Sequence, residues 1–176
     1  MVDKELEFES SSQWRKWLSE NYKTFDSIWL VIYKKSNRGF SYNQALEGAL
    51  CFGWIDSKPR KRDDDSYLIL FSKRNQKSNW SRKNKEITNR FIEEGRMTEA
   101  GFELINIAKE TGKWDALVEV QNSIVPDDLS EQLKLNPLAN ENFDKFPPSS
   151  KRIILEWILN AKTRITRQNR INETVR

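Results

Sequence analysis

Apolar residues follow two rhythms along this chain, and the rhythm changes near its middle. After a short strand-like stretch at about Leu6 to Phe8, the hydroxyls of Ser10, Ser11 and Ser12 offer caps for a helix. Its Trp14, Trp17 and Leu18, three and four residues apart, share one face. Ile28 to Tyr33, β-branched and aromatic, reads as a buried strand, and Asn37-Arg38-Gly39 as a turn. Ser41 caps a second helix through Ala45, Leu46, Ala49, Leu50 and on to Phe52, with Gly53 at its end. Ile55 onward and Tyr67 to Phe71 form a hairpin across Asp63-Asp64-Asp65-Ser66.

From Trp80 the spacing turns helical. Ile87, Phe91 and Ile92 mark one helix closed by Gly95, and Phe102, Ile105 and Ala108 mark a second that starts at Thr98 and stops at Gly112. Pro126-Asp127-Asp128 opens a third, with Leu129 and Leu133 at i and i+4. Beyond Pro137 and Pro147-Pro148, the residues Ile154, Ile158, Ala161 and Ile165 form the apolar stripe of a C-terminal helix. The expected fold class is α+β: a small mixed N-terminal sheet with helices, followed by a helical C-terminal half packed on it. We expect one domain over residues 1–176, with a mixed part at about 1–80 and a helical part at about 81–176.

Composition narrows the chemistry. The 176 residues include seven Trp, nine Phe and four Tyr, enough aromatic area to exclude wholesale disorder. Histidine is absent, which removes His metal sites and Ser-His or Cys-His pairs. Six glycines leave no phosphate-cradling loop of the dinucleotide or P-loop kind. Cys51 is the one cysteine, set in Ala49-Leu50-Cys51-Phe52-Gly53-Trp54, and reads as a buried structural thiol. The acidic opening Met1 to Glu9 lacks the pattern of a secretory signal, and the apolar runs 28–33 and 49–55 are too short to span a bilayer. A cytoplasmic location is the expectation, with no transmembrane segment.

The formal net charge of +4 conceals sorting. Residues 66–85 hold six basic and no acidic residues, residues 86–145 six basic and 13 acidic, and residues 151–176 seven basic and two acidic. Blocks of opposite sign can meet each other within the fold, or can make an anion-binding face beside an acidic back. The segment Ser72 to Asn84 mixes cations, Ser and Asn donors and an aromatic just ahead of a helix start, where an anion is favoured. Its plain alternative is a solvated loop in which Trp80 joins the core and Ser81 or Ser78 caps the helix. Arg164, Arg167 and Arg170 share a helical face near Lys162, suited to phosphates or acidic lipid, or simply to solvent.

A carboxylate among aromatics and cations, Asp56 could act as a base or hold an arginine, but no second carboxylate stands at a telling spacing. Asp63 to Asp65 lacks the register of a calcium loop and reads as a hairpin turn. Of the seven tryptophans, Trp54 and Trp80 are expected nearest the surface. Neither a metal nor a cofactor is expected.

Several pieces of this chain resemble the YdeI/OmpD-associated, or bacteriocin-protection, family. They are Trp14-Arg15-Lys16-Trp17-Leu18, Ala49 to Asp56 with its Cys-Phe-Gly-Trp-Ile-Asp core, Ser78-Asn79-Trp80-Ser81 with Asn84, and Gly95-Arg96-Met97-Thr98 through Ala100-Gly101. Gly112-Lys113-Trp114 and the tail from Ala161 through Arg167 and Arg170 to Ile171 continue the match, over nearly the whole chain. The resemblance implies tolerance of bacteriocins or cationic antimicrobial peptides and an association with a porin, without a reaction or cofactor. Ser72-Lys73-Arg74 departs from the Thr-Pro-Arg run usual in relatives, and loss of the proline loosens this loop.

Together these features point to a non-catalytic cytoplasmic stress or resistance protein that binds a small anionic ligand. Trp54, Asp56, Lys73, Arg74, Ser78, Trp80, Ser81 and Asn84 would line the site, with Asp56 orienting a cation. The alternative is a nucleic-acid-binding protein using Lys77, Arg82, Lys83, Lys85, Lys162, Arg164, Arg167 and Arg170. A cationic peptide as partner of the acidic stretch, or an enzyme working without histidine, remain further readings.

Overall fold

The computed structural model describes residues 4–35 and 39–176, so most of the expected turn at Asn37-Arg38-Gly39 lies outside the described residues. The chain divides into two compact units, Met1–Trp114 and Asp115–Arg176.

The first unit is built on a four-stranded sheet of order β1-β2-β4-β3. Its strands are β1 (Glu5–Leu6), β2 (Ser27–Tyr33), β3 (Trp54–Lys61) and β4 (Ser66–Lys73). β1 runs parallel to β2, whereas β2 pairs with β4 and β4 with β3 antiparallel. The sheet is mixed, as the sequence implied, though its first strand holds only two residues. The hairpin turn is held by Asp63, whose carboxylate accepts from the Asp65 and Ser66 amides and the Ser66 hydroxyl. Those bonds hold its carboxyl below the ordinary value. The register slips between Asp56 and Pro59 on β3, an edge strand where proline costs no ladder bond.

One sheet face carries Ile28, Leu30, Ile32, Ile69 and Phe71 into the main core, where they meet Trp14 and Leu18 of α1 (Ser11–Asn21). Ala45, Leu46, Ala49 and Leu50 of α2 (Tyr42–Cys51) join them. Ser10 caps α1, and Ser41 forms a capping box with Gln44 on α2. Aromatic rings knit this core, with Trp14 and Trp17 stacked at 5.5 Å and Trp17 edge-on to Trp54 at 6.1 Å. Such pairs add about 0.5–1.5 kcal/mol each beyond burial. The buried Trp14 indole also donates to the Ala45 carbonyl at 3.0 Å.

α3 (Arg82–Glu93) and α4 (Glu99–Glu110) complete the first unit, burying Ile87 and Phe91, and Gly101, Ile105 and Ala108. Phe102, expected on the buried face of α4, is exposed, because that face runs through Gly101, Ile105 and Ala108 at i, i+4 and i+7. The tryptophan expectation is corrected as well. Trp54 and Trp80 are buried, while Trp157 is exposed. Trp54, the first residue of β3, and Trp80, in the loop before α3, both enter the main core, so polar residues beside them in sequence did not report their burial.

The second unit packs short helices around Leu129, Leu133, Phe143, Leu155, Ile158 and Ile171. They are α5 (Val118–Gln121), α6 (Asp127–Leu135), α7 (Pro137–Lys145), α8 (Pro148–Leu159) and α9 (Arg164–Thr174). The C-terminal stripe read from the sequence as one helix is two. α8 ends at Leu159, and Thr163 starts α9 by accepting from the Thr166 amide, which leaves Ile165 exposed. α7 was not foreseen; Asn136 caps it and Pro137 occupies its first position. Among the described residues, no helix is long and apolar enough to cross a membrane.

Candidate functional site

The end of β4 and the turn from α2 into β3 meet at one point. Gly53 adopts φ +72° there, and its carbonyl accepts from the Arg74 amide at 2.9 Å. This anchors Arg74 as the chain leaves the sheet. Its side chain is buried, with the guanidinium carbon 4.0 Å from the centre of the Trp80 ring. One terminal nitrogen donates to the Asn79 carbonyl at 2.7 Å, and Nε is buried without a hydrogen-bond partner. No carboxylate among the described residues forms an ion pair with it. Burial lowers its pKa to about 10, and the field of Asp56 only partly opposes that.

Arg74 borders a groove of about 370 Å³ that contains further cations, Lys23 and Lys73, over the apolar surfaces of Phe52 and Leu104. Glu103 is its one acidic residue. Lys73 is already engaged, donating to Asp26 at 2.8 Å and to the Lys23 carbonyl at 2.9 Å. A larger hollow of about 520 Å³ lies beside the start of α2. Ser41 and Gln44 are joined there in a capping box, Lys34 donates to the Asp63 and Asp64 carbonyls, and both of its lysines, Lys34 and Lys35, are exposed rather than buried. The smaller groove therefore offers the better anion site.

The eight residues read from the sequence separate into groups. Trp54, Lys73 and Arg74 line the groove, and Trp80 supports Arg74 from below its guanidinium plane. Trp54 donates its indole N–H to the Tyr22 carbonyl and belongs to the core. Asp56 accepts from the Tyr42 hydroxyl at 2.7 Å and acts on Arg74 through space. Burial first, and Asp56 second, push the Tyr42 phenol well above its ordinary range. Ser81 caps α3 by accepting from the Asn84 amide, while Ser78 is exposed. Trp80 and Ser81 thus take the plain roles weighed for them, core packing and capping.

Several basic residues of the nucleic-acid reading have intramolecular partners. Lys83 donates to Asn43, and Lys85 lies 5.6 Å from the Trp114 ring centre. Arg167 grips Asp128 through two nitrogens at 2.6 and 2.8 Å and also donates to the Ile158 carbonyl. Arg170 donates to the Trp157 carbonyl and stacks over its ring. Lys77, Lys162 and Arg164 are exposed. Tyr22, Lys23, Phe52 and Leu104 were missed as groove residues; they come from the end of α1, the end of α2 and α4, which no local spacing links. The Cys51 thiol is buried, and burial raises its pKa above the ordinary value. No cluster of three metal-ligating side chains occurs among the described residues.

Residues 6–104, which carry the groove, match the family model described as a domain of unknown function, DUF8412. The chain belongs to that family. Residues 122–176 match a second model, described as bacteriocin-protection, YdeI or OmpD-associated. The resemblance read from the sequence is thus shown for the C-terminal segment. Its more N-terminal motifs, including the Cys-Phe-Gly-Trp-Ile-Asp core, lie in the stretch matched by the first family. No curated protein and no solved structure matches the chain.

Proposed function

We propose that this protein, of the bacteriocin-protection kind by its C-terminal segment, acts by binding a small amphipathic anion in the groove beside Arg74. One observation carries the reading. Arg74 is a buried cation to which no carboxylate among the described residues is bonded, Asp56 acting on it only through space, and its Nε has no hydrogen-bond partner. Burying a charge without compensation is costly, and a bound carboxylate or phosphate offsets that cost through charge-assisted hydrogen bonds. Phe52 and Leu104 favour a ligand with an apolar body behind its charged end. Trp80 holds the guanidinium plane in place, and Lys23 and Lys73 add positive field. A cytoplasmic location belongs to the same proposal and rests on the single, buried cysteine.

A thermal-shift screen of aliphatic and aromatic carboxylates and phosphate esters, followed by calorimetry, tests this. A ligand that binds only the folded state raises the melting temperature by mass action. Arg74→Met should abolish the shift, and Arg74→Lys should weaken it, because lysine lacks the fork geometry. If every anion binds Arg74→Met as tightly as wild type, the proposal falls. Nucleic-acid binding stays the second reading, because phosphates at Arg167 or Arg170 would have to compete with bonds those arginines already make. Oligonucleotide affinity that falls steeply with salt and survives Arg74→Met would favour it.

A further inference from the structure

Exposed large hydrophobic residues are distributed very unevenly between the two units. Of ten among the described residues, only Phe102 lies in the first unit, and the other nine lie within Asp115–Arg176. Scattered exposed apolar residues are ordinary, but nine in so short a unit suggest surface awaiting a partner. The charges of that unit are just as unevenly placed. Residues 115–145 hold seven acidic and two basic residues, a balance of −5. Residues 151–176 hold two acidic and seven basic, a balance of +5.

We propose that the C-terminal unit is a homodimerisation module, in which the acidic, apolar surface of α6–α7 meets the basic, apolar surface of α8–α9 on a second copy of this chain. Residues 127–145 hold five acidic and two basic residues and residues 148–174 six basic and two acidic; with Asp128 and Arg167 already paired within one chain, a two-fold axis sets −2 against +3 at each of two equivalent contacts. The unit is neutral overall, so two copies approach without net repulsion between their dimerising parts.

Each surface has a feature suited to the other. Beside α7, a groove of about 230 Å³ lies between that helix and the end of α9, walled by Leu138, Phe143, Phe146 and Val175 and bordered by Arg176. On the basic side, Ile153 and Trp157 stand one turn apart on the outer face of α8. Arg170 stacks over the Trp157 ring at 5.1 Å and donates to its backbone carbonyl, so the indole is held in place before any partner arrives. A fixed aromatic anchor entering an apolar socket is the usual centre of a protein interface. An anionic membrane or a nucleic acid would use the +5 half alone and leave the socket of Leu138 and Phe146 empty. A second copy uses both halves.

The test is sedimentation velocity with light scattering on the full chain over a range of concentrations. The expected mass is twice 20.9 kDa at high concentration, with association weakening as salt rises. Leu138→Glu and Trp157→Glu should each weaken association roughly tenfold or more. Both positions are exposed, so unchanged circular-dichroism melting shows that the fold survives. Mixing the two variants should restore a dimer through the one contact left intact, which loss of folding could not produce. A wild-type chain that stays monomeric at every concentration overturns the proposal, even if it floats with phosphatidylglycerol vesicles or shifts an oligonucleotide. So does a dimer that both substitutions leave intact.

Discussion

Gly101 lies where α4 presses on the carbonyl of Cys51, and replacing it with alanine sets two effects against each other. Inside a helix, alanine is favoured over glycine by roughly 0.5–1 kcal/mol, so propensity alone predicts stabilisation. The contacts predict the opposite. An added Cβ would stand 2.4 Å from the Met97 sulfur and 2.6 Å from the Cys51 oxygen, where ordinary contact begins at 3.4 Å. The Met97 thioether ends a flexible chain and can move aside. The carbonyl cannot, because it belongs to the last turn of α2 and accepts from both the amide and the hydroxyl of Thr98. α4 must therefore retreat by about 0.8 Å at this point, loosening Ile105 and Ala108 and stretching the Thr98 bonds. Overpacking costs about 1–3 kcal/mol and each weakened hydrogen bond about 1 kcal/mol. Net of propensity, Gly101→Ala should destabilise by roughly 1–3 kcal/mol. Urea unfolding with an unchanged m-value measures it. A variant as stable as wild type, or more stable, would refute the close approach of α4 to α2.

Other outcomes follow from the same contacts. Arg167→Met removes the two-pronged grip on Asp128 and should cost about 0.5–1 kcal/mol, modest because both side chains are partly exposed; thermal melts at low and high salt would measure it. Arg167 holds the Asp128 carboxyl below its ordinary value, so this stabilisation is complete above about pH 4 and is lost as pH falls through the depressed value. An acid titration of stability should lose that component in Arg167→Met. Burial raises the Cys51 thiol, so it should resist a thiol reagent at mildly alkaline pH until the protein unfolds. Because the unfolded thiol ionises first, its contribution to stability is full below about pH 8 and declines as pH rises, a trend absent in Cys51→Ala. Trp14→Phe loses the indole bond to the Ala45 carbonyl and part of a fully buried ring, and chemical denaturation should show a cost of about 2–4 kcal/mol.

Local chemistry made most elements readable in advance. Serine caps at Ser10, Ser41 and Ser81, glycines at helix ends such as Gly53 and Gly95, and the Asp63–Ser66 turn each work through residues a few positions apart. Where reading failed, the deciding partner was distant or the local signals conflicted. An unbroken 3.6-residue stripe through Ile165 concealed the cap at Thr163 that divides α8 from α9. Phe102 kept its helical spacing but lost its place on the buried face to Gly101, which the Cys51 carbonyl requires.

The candidate site divides in the same way. Its cations, its aromatic and its helix cap were visible as composition along Ser72 to Asn84. Only the tertiary structure decided which of them share a site. β4 carries Arg74 to the α2–β3 turn, Trp80 lies against its guanidinium, and Phe52 and Leu104 from elsewhere supply the apolar surface. It also gave Asp56 to Tyr42 and Lys73 to Asp26. By itself the sequence determined residue type, local capping and periodicity, because those depend on neighbours a turn or a strand step away. Which charges stay unpaired depends on what distant segments bring into a shared interior, and burial turns Arg74 from one cation among many into one with no carboxylate bonded to it.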